Sequence, residues 1–408
     1  MRFPPNTFRL LLVALVAGCV LAPGAGAAEG RADVGASLAV AAPGSGAKAC
    51  TKRTSRTSRA LASRGRSAPA RRARRAEAKQ RRRCLNRLRR AKRKRATASS
   101  LPTQVSGGLL TAIDGGHGGW SDSEIEHREE LGAAVTRHEW DPYEPVDEQE
   151  DVVETAAGEI GTRLHALLGG NDLGDAGHYR EFVVDFIRRY GQGGSFWDEH
   201  PELDEARFAI TTVELGNEPY FGEMSPEDYA ATVRPTLEEI QRLGLPVTVV
   251  LPSRVYGSDT DWIDTLYRQI PNLNEYFDAF ADHPYWYGHN PAEVAAAGPF
   301  GRIETLRKRM NELGANTKAI YLTEYGESTA ACGEECTDEA GQAQHLKQML
   351  DAITTRPDWG VKMFSVFQLI DRGTNTSDRE LGFGLLRQNG TEKPAYPIVQ
   401  SALEQYRG

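Results

Sequence analysis

Short runs of apolar and β-branched residues alternate with longer amphipathic runs over residues 106–408, and this alternation limits the possible folds more than any other feature. Eight of the short runs predict strands, each followed by enough sequence for a helix. The predicted strands are 108–113, 133–138, 163–168, 209–215, 247–251, 276–281, 319–323 and 361–367. The clearest predicted helices are 179–190, 226–243, 302–313 and 341–354. Because eight strand–helix units in about 300 residues suit a closed barrel, we predict an α/β fold of the (β/α)8 type, a TIM barrel.

Charge is divided unevenly along the 408 residues. Residues 1–100 contain 25 Lys and Arg against 3 Asp and Glu, whereas residues 101–408 contain 24 against 53. These two parts carry formal net charges of +22 and -29, which the overall value of -7 conceals. A hydrophobic content of 40% with only 5 cysteines excludes a fully disordered protein, a collagen-like fibre and a small disulfide scaffold. The sequence therefore predicts three segments, 1–28, 29–105 and 106–408.

Residues 1–28 have the layout of a secretory signal peptide. Arg2 and Arg9 precede an apolar run that is too short to cross a bilayer, and small residues follow it up to Ala28. We therefore expect the protein to be secreted. Cys19 ends a lipobox-like tetrapeptide, so lipidation at Cys19 and anchoring at the cell surface are the alternative.

Residues 29–105 form a basic, low-complexity segment, densest in Lys and Arg over 47–97. This stretch has no apolar stripe to offset the entropy of ordering, which predicts disorder or a solvated helix. We expect a spacer, or an anchor that binds an anionic cell-wall polymer or a membrane surface. Nucleic acid is not expected, because no aromatic residues are interleaved for base stacking and the chain is exported. A disulfide between Cys50 and Cys84 is expected in an oxidising location.

Two predicted strands end in a glutamate. The fourth continues into Asn217-Glu218-Pro219, and the seventh ends in Thr323-Glu324-Tyr325-Gly326. In a (β/α)8 barrel the chemistry lies at the carboxyl ends of the strands, so the two carboxylates face one barrel mouth. Such a pair suits cleavage of a glycosidic bond, in which one group protonates the leaving oxygen and the other attacks the sugar or activates water. A spacing of about 5 Å predicts retention, and one of about 6.5 to 9.5 Å predicts inversion.

These motifs, at these predicted strands, resemble clan A glycoside hydrolases, including families 5 and 39, and the resemblance covers essentially all of residues 106–408. It implies a retaining β-glycosidase with Glu218 as general acid/base and Glu324 as nucleophile. Glu218 then needs a raised pKa, and Glu324 must be ionised. The resemblance also implies that Asn217 binds the sugar 2-hydroxyl, although a cap on the turn explains it equally well. The rival function is a catalytically inactive, carbohydrate-binding barrel associated with the cell wall.

Other strand ends supply substrate-binding candidates. The full set is Arg137, His138, Asn217, Tyr220, His283, Tyr285, Trp286 and Gln368. The clan often has an arginine beside the nucleophile where Arg137 stands, and pairing with Glu139 is the structural alternative. The segment 282–286 resembles the clan's His-Pro-Tyr, which implies an orienting role for His283 and places Tyr285 near the nucleophile. A structural histidine is the competing interpretation. His117, Trp120 and Asn171 are weaker candidates.

The eighth predicted strand departs from the clan, which usually has a tryptophan there. We expect Gln368 to reach a hydroxyl and a phenylalanine to stack on the sugar instead. Aromatic residues such as Tyr220 and Trp286 crowd the predicted loops, as carbohydrate binding favours.

Cys332 and Cys336 lie just after Glu324 and predict a local disulfide. Metal binding by these thiols is disfavoured because no second ligand pair is near. Without a phosphate loop or dinucleotide fingerprint, we expect no cofactor and no metal. The expected substrate is an oligo- or polysaccharide, and the expected state is a monomer.

Overall fold

A computed structural model of the chain describes residues 109–222, 224–285, 298–373 and 377–405. Eight parallel strands pair in chain order, and the first also pairs with the eighth, so that the sheet closes into a barrel. They are β1 (Leu110–His117), β2 (Val135–Trp140), β3 (Arg163–Leu168), β4 (Thr212–Leu215), β5 (Thr248–Pro252), β6 (Ala279–Asp282), β7 (Ala319–Tyr325) and β8 (Val361–Val366). The predicted (β/α)8 fold is confirmed, and every predicted strand overlaps an observed one.

Helices lie between the strands. They are α1 (Asp122–Leu131), α2 (Glu150–Thr155), α3 (Ala176–Tyr190), α4 (Ser195–Glu199), α5 (Glu205–Phe208), α6 (Pro226–Leu243), α7 (Asp261–Gln269), α8 (Pro299–Glu312), α9 (Glu339–Thr355) and α10 (Ala395–Gln405). The four predicted helices correspond to α3, α6, α8 and α9. None of the helices in the described ranges is long and apolar enough to cross a membrane.

The bounds of α6 match the prediction because its ends carry strong local signals. Ser225 caps the first turn by accepting a hydrogen bond from the backbone N–H of Asp228, and Pro226 occupies the first helical position. Gly244 ends the helix in the left-handed conformation, with φ at 62°.

Strand residues alternate between the barrel interior and the helix layer. Ile113 points outward into the large core shared with the helices, whereas its neighbour Ala112 packs inside the barrel with Val135 and Met363. Two residues further along the same strands, the interior positions are polar: Asp114 on β1 and Arg137 on β2, which pair in register. The apolar interior therefore ends one layer below a charged layer at the carboxyl ends of the strands.

Strand β7 breaks this alternation at its end. Its pairing with β8 shifts register between Leu322 and Tyr325. A register irregularity of this kind re-aims side chains. As a result the consecutive side chains of Thr323 and Glu324 both reach the charged layer, where they contact Glu214 and Arg137 respectively.

Several predictions concern residues outside the described ranges. They are the signal peptide at 1–28, the basic segment at 29–105, the roles of Cys19, Cys50 and Cys84, and the binding role of Trp286. These stay predictions.

Candidate active site

Arg137 is the centre of the charged layer. Its Nη1 donates to Glu324 Oε1 at 2.8 Å and to Asp114 Oδ2 at 3.1 Å. Its Nε and Nη2 donate to the two carboxylate oxygens of Glu214 at 2.8 and 3.1 Å, and Nη2 also reaches Asn217 Oδ1 at 2.9 Å. One buried guanidinium thus joins side chains that follow or belong to β1, β4 and β7. Arg137 binds these groups rather than Glu139, its structural alternative.

Glu214 is buried on β4 and was missed in the sequence, as was its partner His165. His165 Nε2 lies 2.9 Å from Glu214 Oε2, and the Thr323 hydroxyl donates to Oε1 at 3.1 Å. Burial raises the pKa of Glu214, but Arg137 and His165 outweigh it and leave that pKa well below the ordinary value. Glu214 is therefore a fixed anion under Arg137. An acid inside an otherwise apolar strand was the signal that could have found it.

Glu324 lies buried at the end of β7, held from two directions. Besides Arg137, the Tyr285 hydroxyl donates to its Oε2 at 2.9 Å. Burial raises its pKa above the ordinary 4.5, against the charges of His283 and Arg137, which lower it, while Asp114 and Glu218 add to the increase. Two donors nevertheless orient the carboxylate towards the barrel mouth.

Glu218 follows β4 with a left-handed backbone, at φ 43° and ψ 49°. This conformation is uncommon for a residue other than glycine, and such residues cluster at functional sites. Gly216, at φ 92°, makes the preceding turn and packs against Leu173. The short helix Pro219–Phe221 begins directly after the glutamate. The turn presents the half-buried Glu218 carboxyl to His283.

The two glutamates lie close to the same ring nitrogen of His283. His283 Nδ1 lies 3.0 Å from Glu218 Oε1 and 3.7 Å from Glu324 Oε2. These two oxygens are therefore at most 6.7 Å apart, the sum of the two distances. Since the upper bound lies below most of the range for inversion, the spacing is compatible with a retaining site.

The protonation of His283 follows from its other neighbour. The single hydrogen of the Thr323 hydroxyl goes to Glu214, so its oxygen accepts from His283 Nε2 at 2.9 Å. Nε2 therefore carries a proton. Burial lowers the pKa of His283, but Glu324 and Glu218 more than reverse this and raise it to about 9, so that Nδ1 is protonated as well at neutral pH.

This charge on His283 reverses one expectation. The resemblance requires a raised pKa for Glu218, yet in the free protein its pKa is lowered, because the charge of His283, supported by Arg137 and Arg302, outweighs the effect of burial. The pKa that is raised belongs to Glu324. The proton that an acid catalyst would need thus resides on His283 Nδ1, 3.0 Å from the Glu218 carboxylate.

The remaining candidates also follow strands of the barrel, and their roles in substrate binding stay predictions. Asn217 accepts from Arg137, which leaves its amide nitrogen as the group that can donate to a ligand. Tyr220 is half-buried, with its ring 5.4 Å from that of Trp262. Gln368 is buried after β8. Phe367 stands at the end of β8 with its ring 6.4 Å from that of Tyr285, where the predicted substitute for a tryptophan would lie.

His138 has no described contact with the charged layer, and its substrate-binding role stays a prediction. It is 1% exposed, lies between the rings of Trp120 and Trp140, and contacts Gln149 Oε1 at 3.1 Å. The reason is the alternation of β2, which sends Arg137 inward and the next residue to the opposite face.

No protein-family model and no curated protein matches the sequence. Solved structures do. A family 39 glycoside hydrolase from Bacteroides cellulosilyticus WH2 superimposes with a TM-score of 0.52 at 13% identity, over 74% of this chain and 64% of that one. A glucosidase from Croceicoccus marinus gives 0.50 at 14% identity, over 74% and 69%. This chain has the fold of these glycoside hydrolases.

One cluster of metal-ligating side chains occurs in the described ranges, away from this pair. Glu150, Glu199 and His200 offer ligand atoms within 4.8 Å of one another. Arg189 already donates to both glutamates at 2.6 to 2.9 Å, so the cluster is an ion-pair network held by an arginine.

The predicted disulfide between Cys332 and Cys336 is confirmed. It closes the loop that leads from β7 to α9.

Proposed function

We propose that this protein is a retaining glycoside hydrolase that cleaves β-O-glycosidic bonds of an extracellular glycan by double displacement. One observation carries the proposal: the carboxylates of Glu218 and Glu324, which come from different strands of the barrel, lie 3.0 and 3.7 Å from the same nitrogen of His283. The fold shared with glycoside hydrolases supports it.

In the first step Glu324 attacks the anomeric carbon and the leaving oxygen takes a proton from the Glu218–His283 pair. The bond to the leaving group breaks as the glycosyl ester on Glu324 forms. Arg137 and Tyr285 hold the attacking carboxylate in place. In the second step Glu218 removes a proton from water, whose oxygen displaces Glu324 and restores the free carboxylate.

The geometry disfavours the rival function. An inactive barrel that binds carbohydrate has no need for two carboxylates within 6.7 Å, sharing one imidazolium. Desolvated like charges cost free energy, so such an arrangement is better explained by chemistry than by binding alone.

The test uses Glu218→Ala and Glu324→Ala with 4-nitrophenyl β-glycosides. We expect each substitution to lower kcat by at least about 1,000-fold. Added azide then separates the roles. With Glu218 absent, azide attacks the glycosyl ester and gives a β-glycosyl azide, whereas with Glu324 absent it attacks the substrate directly and gives an α-glycosyl azide. Wild-type activity in either variant contradicts the proposal.

Stereochemistry gives an independent measurement. NMR during the first minutes of hydrolysis is expected to show the β-anomer of the released sugar. An α-anomer formed first contradicts retention and leaves hydrolysis itself intact. A product without a free anomeric carbon would mean that a different kind of bond is cut.

We also propose that the enzyme is exported, works as a monomer, and is held near the cell by the basic segment. Deleting residues 47–97 should release the protein from cells without changing turnover of a small substrate. Retention after that deletion would instead implicate Cys19 or the barrel.

A further inference from the structure

A cavity of about 580 Å³ opens between the carboxyl ends of β1 and β8. Its walls include Asp114, the first turn of α1 and residues 368–372 after β8. Asp114 Oδ2 lies within 5.9 Å of Glu324 Oε1, the sum of their distances of 3.1 and 2.8 Å to Arg137 Nη1. One wall residue of the cavity, Asp114, is therefore close to the proposed nucleophile.

The proposed roles of the two glutamates indicate which sugar of the substrate lies in this cavity. Glu218, after β4, protonates the leaving oxygen, so the leaving group lies on the β4 side. The sugar that becomes attached to Glu324 must extend the other way. In a closed barrel of eight strands β8 stands opposite β4, so this sugar enters the β1–β8 cavity.

Two residues that line this cavity carry three buried donors with no acceptor within the described part of the chain. These donors are Nε and Nη1 of Arg128 and Nε2 of Gln368, on side chains that are 4% and 7% exposed. Arg128 Nη2 donates to the Asp114 carbonyl, and its guanidinium lies over the Trp120 ring. Buried donors without an acceptor are costly, which points to a ligand that supplies oxygen atoms.

The acids of the cavity are already engaged. Asp114 accepts from Arg137, and Glu124 accepts from Ser121 in the cap of α1. Asp371 accepts from Lys393 Nζ at 2.8 Å. Arg128 has no such ion pair within 4.0 Å among the described residues. Burial lowers its pKa to about 10, against Glu124 and Asp114, which raise it. Arg128 is therefore a buried cation of this cavity without a carboxylate partner in the described part of the chain.

We propose that the β1–β8 cavity binds a sugar that carries a carboxylate, and that the enzyme is therefore selective for β-linked uronic acids. This inference rests on the proposed hydrolase function. A carboxylate offers only acceptors and matches the planar fork of an arginine, so it satisfies the charge and the donors of Arg128 together. Gln368 donates to a ring oxygen or hydroxyl of the same sugar.

The test compares matched substrates: 4-nitrophenyl β-D-glucuronide with the glucoside, and the β-D-galacturonide with the galactoside. In one of the two pairs we expect kcat/KM for the uronide to exceed that of the neutral sugar by at least about 10-fold. The corresponding uronamide, which keeps the shape and loses the charge, should behave like the neutral sugar.

Arg128→Gln should reduce the ratio of uronide to neutral kcat/KM by about 10- to 100-fold, whereas Arg128→Lys should restore part of it. Arg307→Gln is the control. It is also a buried arginine, but donates to the carbonyls of Trp359 and Lys318 before β8 and β7, at the opposite end of the barrel. Its ratio should equal that of the wild type. A ratio unchanged by Arg128→Gln overturns the inference.

Two outcomes distinguish a failure of the uronide selectivity from a failure of the proposed hydrolase activity. If the wild type hydrolyses neutral glycosides with the same kcat/KM as the uronides, the proposed selectivity is wrong and the proposed hydrolase activity stands. If no glycoside of either kind is cut, both are wrong. Should Arg128→Gln not fold, as judged by circular dichroism, calorimetry of the wild type with free glucuronate, galacturonate and their neutral sugars decides. Equal or weaker binding of both acids then overturns the proposal.

Discussion

The two sides of the barrel mouth differ in character. On the side of β8 and β1, the walls of the cavity include charged and amide groups, among them the buried Arg128 and Gln368. On the side of β2 to β5, the loops carry the exposed large hydrophobic residues of the described chain: Tyr143 (60%), Phe221 (67%) and Tyr256 (75%). Buried polar donors suit recognition of one defined sugar, whereas exposed rings suit stacking on varied partners. We infer that selectivity lies on the first side and tolerance on the second.

The largest expected effect concerns Arg137, which joins the two sides. Arg137→Met leaves Glu214, Asp114 and Glu324 buried without their shared cation. We expect the free energy of unfolding to fall by about 3 to 5 kcal/mol, measured by urea denaturation. Arg356→Met is the control, since that arginine pairs with Glu304 and Asp358 at the surface and should change little. A loss no greater than that of the control would mean that the charged layer does not stabilise the barrel.

The pH dependence of kcat/KM is the next test, because His283 lies between the two sides. In the proposed mechanism Glu324 must be ionised, so activity should fall as the pH drops through its raised pKa, above 4.5. It should also fall as the pH rises through about 9, where the Glu218–His283 pair loses its proton. We expect His283→Gln to lower kcat/KM by about 100-fold and to shift the alkaline limb. An alkaline limb that stays in place would remove His283 from the proton path.

The disulfide Cys332–Cys336 lies in the loop after β7, on the side of the barrel that carries Glu324. The loops after β1 to β6 have no disulfide, since residues 109–331 contain no cysteine. Replacing Cys332 and Cys336 together by serine should lower the free energy of unfolding by about 2 kcal/mol, because the closed loop is short. Thermal unfolding with and without reductant provides the measurement. The double variant should be indifferent to reductant, and equal stability of the two proteins would contradict the prediction.

The smallest effect is expected at the exposed rings. Phe221→Ala or Tyr256→Ala should raise KM for an oligosaccharide by about 3- to 10-fold, as expected when a stacking contact of about 1 kcal/mol is lost. A glycosyl fluoride, whose leaving group is a single atom, should be affected less. Equal changes on both substrates would mean that the rings do not contact the leaving group, and the contrast between the two sides would fail.

The sequence was sufficient for the barrel and for the two strand-end glutamates, since both depend on local patterns. Patterning predicted β3 and α6 with their observed bounds, and strand ends identified Glu218 and Glu324 as candidates. It missed Asp114 and Glu214, because a strand residue contributes to the charged layer only if its side chain points into the barrel.

Other features depend on the fold in the same way. Strand alternation separates the side chain of His138 from that of Arg137, since neighbours on a strand face opposite ways. Thr323 and Glu324 reach the site together only because of a register shift, which depends on the pairing partner and leaves no local mark. The pKa of Glu218 likewise depends on His283, which is distant in the sequence.

The contacts of Arg137 also bear on how the chain folds. Its partners lie 23, 77 and 187 residues away, on strands that include the first and the seventh, while β8 must join β1 to close the sheet. No half of the barrel can assemble this layer alone. During refolding, regain of activity should therefore trail the recovery of helical circular dichroism, and hydrolysis would report the moment at which the ring of strands is complete.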